Sequence, residues 1–178
     1  MIVKARYDSL AHAVSASVHP MQTVLYVCTG NTCRSPLAEA IARHHLDAGL
    51  LGPEVDVFVA SAGLTASEGV PTSHETVETL RSLGIEHHGR SKRVSAPMIY
   101  RAHAVLVMTA AHQIAARALV AESPDDMAKI QLLDPDGDLD DPIGMGQEAY
   151  DSLGQKLMML IPRRLKDVLT ATPDIAKR

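Results

Sequence analysis

An α/β fold, a parallel sheet covered by helices on both faces, is the class this sequence predicts, and three observations carry it. Short runs rich in β-branched and aliphatic residues alternate with longer stretches of helical periodicity. The first of those short runs, TVLYVC at 23–28, is apolar as strands buried on both faces are. A length of 178 residues with a hydrophobic share of 46% suffices for one domain with a substantial core.

The elements follow in order. Residues 23–28 (TVLYVC) read as a buried strand. Residues 35–50 read as a helix, since Pro36 suits a first turn and Leu37, Ala40, Ile41 and His44/His45 recur at helical spacing. A second strand is expected at 55–63. The helix at 73–84 takes Ser73 as its N-cap, holds Thr76 where a capping box would want Glu, and stops at Gly84. Strand 102–109, helix 110–120 and strand 129–134 come next. A long terminal helix at 146–171 is expected to bend near Pro162. No internal repeat, low-complexity tract or linker divides the chain.

Composition excludes several classes of function. A net charge of −4 and a charged share of 21% describe neither a disordered chain nor a nucleic-acid binder. The aromatic share is 3%, with Phe58 the only Phe and no Trp, so base-stacking platforms are not expected. No apolar run approaches the ~20 residues that span a bilayer. Two cysteines make no disulfide framework, and a cytoplasmic setting is expected for a free thiol. Residues 1–22 are expected to form a poorly packed N-terminal extension, and 23–172 the functional domain. Lys4 and Arg6 ahead of a mildly apolar stretch do not make a signal peptide, because Asp8, His12 and serines interrupt it.

Both cysteines lie in one loop, in VCTGNTCRSP at 27–36. In a parallel α/β sheet, chemistry sits beyond the carboxyl ends of the strands, and Cys28 lies at such an end. The loop Thr29-Gly30-Asn31-Thr32-Cys33 returns to Arg34, Ser35 and a helix start. Its amides, with those of the helix, suit a dianion. Gly30 permits a positive φ, and Asn31 is the other residue that tolerates one. Arg34 adds a planar fork for two phosphoryl oxygens. The same positive field favours the Cys28 thiolate, to which Ser35 can donate. The bland alternative is an inert Cys at a strand end. The loop lacks the Lys-Ser/Thr ending of a nucleotide-binding P-loop.

The string VLYVCTGNTCRSPLAEA resembles the signature of the low-molecular-weight protein tyrosine phosphatase family, and the resemblance extends from about Thr23 to about Lys166. It implies a three-layer flavodoxin-like fold with a four-stranded parallel sheet flanked by helices. It implies further that Cys28 takes the phosphoryl group, that Thr29, Gly30, Asn31, Thr32, Cys33, Arg34 and Ser35 bind it, and that an aspartate of a later Asp-Pro loop is the general acid. Cys33 matches the family's second loop cysteine, which forms a reversible disulfide with the nucleophile, here Cys28. No metal and no cofactor are expected; the partners expected are phosphorylated proteins, not nucleic acid or membrane.

Two Asp-Pro pairs compete for the acid. Asp141-Pro142 is favoured, because Ile143-Gly144 follows it close to the family's Asp-Pro-aromatic-Gly pattern; Asp134 and Asp140 are then solvated loop carboxylates. Thr32, where tyrosine-directed members commonly carry Ile, and the LVMT of 106–109 resemble the protein-arginine phosphatase branch. Ile143 departs from the aromatic that either branch places there. Thr32 as a mere packing residue stays open, as do a tyrosine or small-monoester phosphatase and a thiol-dependent arsenate reductase, although no further cysteine is present to resolve the latter's intermediate. Among the histidines, the pairs His44-His45 and His87-His88 lack metal-ligand spacing. Register places Gly89 or Arg90, with His88 beside them, where many relatives hold a histidine that braces the loop asparagine. The basic run 90–93 is read as solvated surface, and Met127, Met158 and Met159 as core filler.

Overall fold

The structure, a computed structural model, describes residues 21–52 and 55–170. Four strands, β1 (Gln22–Cys28), β2 (Val57–Gly63), β3 (Ala104–Val107) and β4 (Ile130–Leu132), form one sheet in the order β2-β1-β3-β4. Every pairing is parallel. The expected four-stranded sheet is therefore present, and each expected strand lies within its predicted range but for the one-residue start of β1. That strand opens at Gln22, whose N–H donates to the Asp56 carbonyl.

Period-2 geometry splits the core between the two faces of this sheet. Val24, Tyr26 and Cys28 of β1 and Leu106 of β3 face one side, where Leu37, Ala38 and Ile41 of α1 (Arg34–Asp47), Leu80 of α2 (His74–Ser82) and Leu157, Ile161 and Leu165 of α6 (Gln147–Thr170) close over them. Leu25, Val27, Val105 and Val107 face the other side. There they meet Ile99 of α3 (Ala96–Arg101), Ala116 of α4 (Ala110–Ala118) and the partly buried Met127 of α5 (Pro124–Ala128). Three layers result, as the resemblance implied.

Two helices were not expected. α3 and α5 have six and five residues, too few for a 3.6-residue period to register, and each carries a proline in its first turn behind a serine cap position. The α2 boundaries agree better: the Ser73 hydroxyl accepts from the Thr76 N–H, and Gly84 takes φ +76 just past the end. The methionines divide. Met127 and Met158 pack against the core, but Met159 is 83% exposed, because it falls on the outer face of α6.

Pro162 lies inside α6 and has no N–H to offer the Met158 carbonyl one turn earlier. His45, at the end of α1, supplies the missing donor: its Nε2 lies 3.2 Å from that carbonyl. Burial lowers the His45 pKa, with the bond to Met158 opposing, so the imidazole is neutral with its proton on Nε2. A helix with a proline inside it is thus tied to the helix that leaves the loop holding both cysteines.

Apart from Met21 and Gln22, the expected N-terminal extension lies outside the described residues. Among the described residues, no helix is long and apolar enough to cross a membrane. On the Pro162 argument, His45→Ala is expected to cost about 1 kcal/mol in denaturant unfolding. In a Pro162→Ala background, which returns an N–H to the Met158 carbonyl, the same substitution should cost less than about half as much, and the double-mutant cycle measures the difference.

Candidate active site

β1 delivers Cys28 to the carboxyl edge of the sheet, between β2 and β3, where the strand order reverses. The chain then has to turn back into α1 within five residues. It does so through Asn31, whose φ of 56 is the one left-handed value among the described non-glycine residues. Gly30, which could take a positive φ, does not adopt one; the asparagine completes the reversal. Four groups hold Asn31 in place. Its Nδ2 donates to Ser35 Oγ at 2.9 Å and Ser61 Oγ at 2.8 Å, its Oδ1 accepts from the Lys92 N–H at 2.8 Å, and its own N–H points at Cys28 Sγ at 3.3 Å.

The sulfur receives a second contact, from Ser35 Oγ at 3.0 Å. An amide N–H and a hydroxyl converging on one sulfur suit a thiolate. Among the described residues, no protein acceptor takes the main-chain N–H of Gly30, Thr32 or Cys33. Those donors remain for an oxyanion seated in front of Cys28.

Arg34 is 5% exposed. Its guanidinium reaches across to the loop after β4, donating to the Leu139 carbonyl at 3.4 Å and to Asp141 Oδ2 at 2.5 Å. The Asp141 side chain keeps 45% of its surface exposed, and its Oδ1 accepts the Ile143 N–H. Ile143 itself is 62% exposed beside it. Arg34, one turn of chain after Cys28, is thus in direct contact with Asp141 of the later Asp-Pro loop.

The other Asp-Pro aspartate behaves differently from expectation. Asp134 is buried rather than solvated: it pairs with Lys156 of α6 at 2.7 Å and accepts the Asp136 N–H. Burial opposes its charge, but the Lys156 ammonium, the Asp136 N–H and the Arg164 charge outweigh that and hold its pKa below the usual carboxylate value. Asp140 remains exposed. The brace for Asn31 also differs, because the Lys92 main chain fills that position. His87 and His88 instead line a polar cavity of about 740 Å³ behind the loop, with Glu39 and Ser61, and the His87 ring occupies the space that a side chain at Gly89 would need.

Thr32 is half-buried and its carbonyl accepts the Ser73 N–H, joining the loop to α2. Cys33, 6% exposed, lies 3.4 Å from the Tyr150 hydroxyl and 3.5 Å from Ser73 Oγ. Both cysteines are free thiols. Burial and the neighbouring Cys33 raise the Tyr150 pKa, so the phenol stays protonated.

Three contributors escaped the sequence reading. Gly63 pairs with Cys28 across the sheet, and a Cβ there would lie 2.6 Å from the Thr29 carbonyl oxygen and 2.8 Å from the Asn31 nitrogen. The loop backbone rests on that bare α-carbon. A glycine closing a strand was the available signal. Ser61, two residues earlier on β2, passes the support on, donating to Glu39 Oε2 at 2.6 Å. His112, in the first turn of α4, brings its Nε2 within 2.8 Å of Thr29 Oγ1.

An activated sulfur, a caged guanidinium and an exposed carboxylate around an amide-lined turn can perform nucleophilic displacement at phosphorus, followed by acid–base-assisted hydrolysis. Comparison with known proteins agrees. Residues 23–171 match the family described as low molecular weight phosphotyrosine protein phosphatase. A protein-arginine-phosphatase of Geobacillus stearothermophilus is 36% identical over 149 residues, 83% of this chain and 96% of that protein. A low molecular weight protein-tyrosine-phosphatase of Streptomyces coelicolor is 36% identical over 137 residues, 72% of this chain and 82% of that protein. Among solved structures, a Cys-to-Ser variant of YwlE arginine phosphatase with a phosphorylated active-site serine superposes with a TM-score of 0.73 at 27% identity, covering 87% of this chain and 99% of that chain. The chain belongs to the low molecular weight phosphotyrosine protein phosphatase family and is a cysteine-dependent phosphatase.

Because the atoms that crowd Gly63 are all main chain, Gly63→Ala must displace the loop itself. Its kcat on an aryl phosphate is expected to fall on the order of a hundredfold, with weaker inhibition by inorganic phosphate. The loss of unfolding free energy should stay within about 1–3 kcal/mol.

Proposed function

We propose that the protein hydrolyses phosphoarginine in phosphorylated proteins through a phosphocysteine intermediate. The observation that carries the choice of substrate is the character of the mouth. Tyr26 and Tyr150 are buried, while Phe58 and Tyr100 are exposed near the amino ends of β2 and β3, away from Cys28. Among the described residues, no aromatic side chain walls the carboxyl edge against a phenol ring. What lies there instead is polar: the Asp141 carboxylate and the Thr32 hydroxyl, both suited to a planar guanidine rich in N–H donors. The similarity to protein-arginine-phosphatases supports the same reading.

In the first step the Cys28 thiolate attacks phosphorus while the loop amides and the Arg34 fork hold the equatorial oxygens. The arriving dianion competes for Arg34 and releases Asp141 from it; the freed carboxylate takes up a proton from solvent and delivers it to the departing guanidine nitrogen as the P–N bond breaks. In the second step the Asp141 carboxylate takes a proton from water, the water oxygen attacks phosphorus, and the sulfur leaves as thiolate stabilised by Ser35 and the Asn31 N–H. Phosphate departs, Asp141 gives up that proton to solvent as it pairs with Arg34 again, and every group returns to its starting state.

A phosphotyrosine phosphatase is the second reading. It is favoured by Ile143 and Met145, which are 62% and 71% exposed beside Asp141 and offer some apolar surface to a ring.

Phosphate release from a phosphoarginine protein and a phosphotyrosine peptide, measured side by side, separates the two; preference for phosphotyrosine by more than about tenfold in kcat/KM contradicts the first. Thr32→Ile should move the ratio toward phosphotyrosine. Cys28→Ser should abolish turnover. Asp141→Asn should lower kcat about 10²–10³-fold. Asp134→Asn, by contrast, should leave kcat close to wild type and cost about 1–2 kcal/mol of stability, because it breaks an ion pair whose lysine is half exposed. That stability is present above pH 3.8, the ordinary value for an aspartate, and is lost as pH falls through the lowered folded-state pKa.

A further inference from the structure

The contact between His112 and Thr29 joins α4 to the second residue of the phosphate loop, and no step derived above uses it. Thr109 caps α4, its hydroxyl accepting the His112 N–H at 3.2 Å, and this places the imidazole in the first helical turn, against the loop. His112 is 8% exposed, its Nε2 lies 2.8 Å from Thr29 Oγ1, and its Nδ1 is buried without a partner. Burial first, and the Arg34 charge second, lower its pKa, with Asp141 and Asp138 opposing. The ring is therefore neutral and carries one proton.

That proton has two possible positions, and they differ in cost. On Nδ1 it would be a buried donor with no acceptor, a rare and expensive arrangement. On Nε2 it donates to Thr29 Oγ1 and leaves only an unused lone pair on Nδ1. The second tautomer is the favourable one. Thr29 then receives a bond from His112 and keeps its own O–H free, for among the described residues its hydroxyl contacts no other protein group. Thr29 is exposed, directly follows the nucleophile, and lies on the same rim as Arg34 and Asp141, whose charges both act on His112.

We propose that His112 is a positioning residue of the hydrolytic site: by donating to Thr29 Oγ1 it turns the Thr29 O–H toward the phosphoryl oxygens, adding a side-chain donor to the ring of main-chain ones. The inference rests on the phosphocysteine reading but not on the choice of phosphoarginine. Its worth is greatest where negative charge on those oxygens is being redistributed, so it acts on kcat more than on KM.

The test uses the full chain and para-nitrophenyl phosphate, which is indifferent to guanidine recognition. Thr29→Val and His112→Phe should each lower kcat about tenfold, while KM changes by less than about twofold. The double variant should be no worse than the poorer single by more than about twofold, because both remove one interaction. Thr29→Ser, which keeps the hydroxyl, and His112→Gln, which keeps a donor near Nε2, should recover to within about threefold of wild type. Unchanged kcat in Thr29→Val, multiplicative losses in the double variant, or a His112→Gln as impaired as His112→Phe would each overturn the proposal. If His112→Phe fails to fold, the Thr29 pair and His112→Gln still decide it. Activity surviving in Cys28→Ser brings down the underlying mechanism instead, whereas a Cys28-dependent enzyme indifferent to Thr29→Val removes only the role of His112.

Discussion

The left-handed turn at Asn31 is the constraint on which this site depends. An L-residue in that region costs roughly 1–2 kcal/mol, and the turn persists because its side chain is bonded on every side. Ser35 comes from the start of α1, Ser61 from β2, and the Lys92 N–H from the segment that runs back beside β2. Each such bond contributes about 1 kcal/mol net, and together they offset the strain. The consequence is an order of assembly: the turn that aims the loop amides is stable only once the β1–β2 pairing and the segment carrying Lys92 are in place. Gly63 lets that pairing come close enough for the loop to lie on it.

Arg34 joins this rigid half to the acid loop. That loop is pinned independently, by the Leu139 N–H on the Met108 carbonyl, the Leu133 N–H on the Val107 carbonyl, Asp134 on Lys156 and the Asp138 carboxylate on the Ala110 N–H. Three of these anchors belong to the end of β3 or the start of α4, so the same few residues place the acid loop and His112. Asp141 is left half exposed within a fixed frame, beside the exposed Asp140, Ile143 and Met145. On the proposed reading its carboxylate has to change partners during turnover, and that exposure permits it.

How much of this was legible from residues alone follows from the range of each contact. Cys28, Arg34 and Ser35 act within one turn of chain, and a strand end followed by a glycine-containing loop and a proline-led helix displays them in order. β1 and β3 were visible because burial on both faces makes them largely apolar, whereas β2 and β4, at the sheet edges, expose Phe58 and Gln131. Gly63, Ser61 and His112 act across 30 or more positions, through register and packing that no local pattern encodes. The bracing of Asn31 was misassigned for a related reason: the donor is a main-chain N–H, which every residue but proline carries. Asp134 was misjudged because its partner, Lys156, arrives from another element.

Selectivity in such a site has to arise at the leaving group, since the loop and Arg34 grip the phosphoryl end of any substrate alike. Uniform grip lowers KM without distinguishing substrates; discrimination needs contacts that strengthen as the leaving atom departs. A phenol ring gains from an aromatic wall, and among the described residues the two buried tyrosines are used elsewhere, Tyr26 within the core and Tyr150 against Cys33. A departing guanidine gains instead from a carboxylic acid that protonates its nitrogen and from acceptors for its N–H groups. On the proposed reading Asp141 supplies the first and Thr32 the second. The polarity of the mouth and the chemistry of P–N cleavage thus favour the same substrate, for reasons that do not depend on each other.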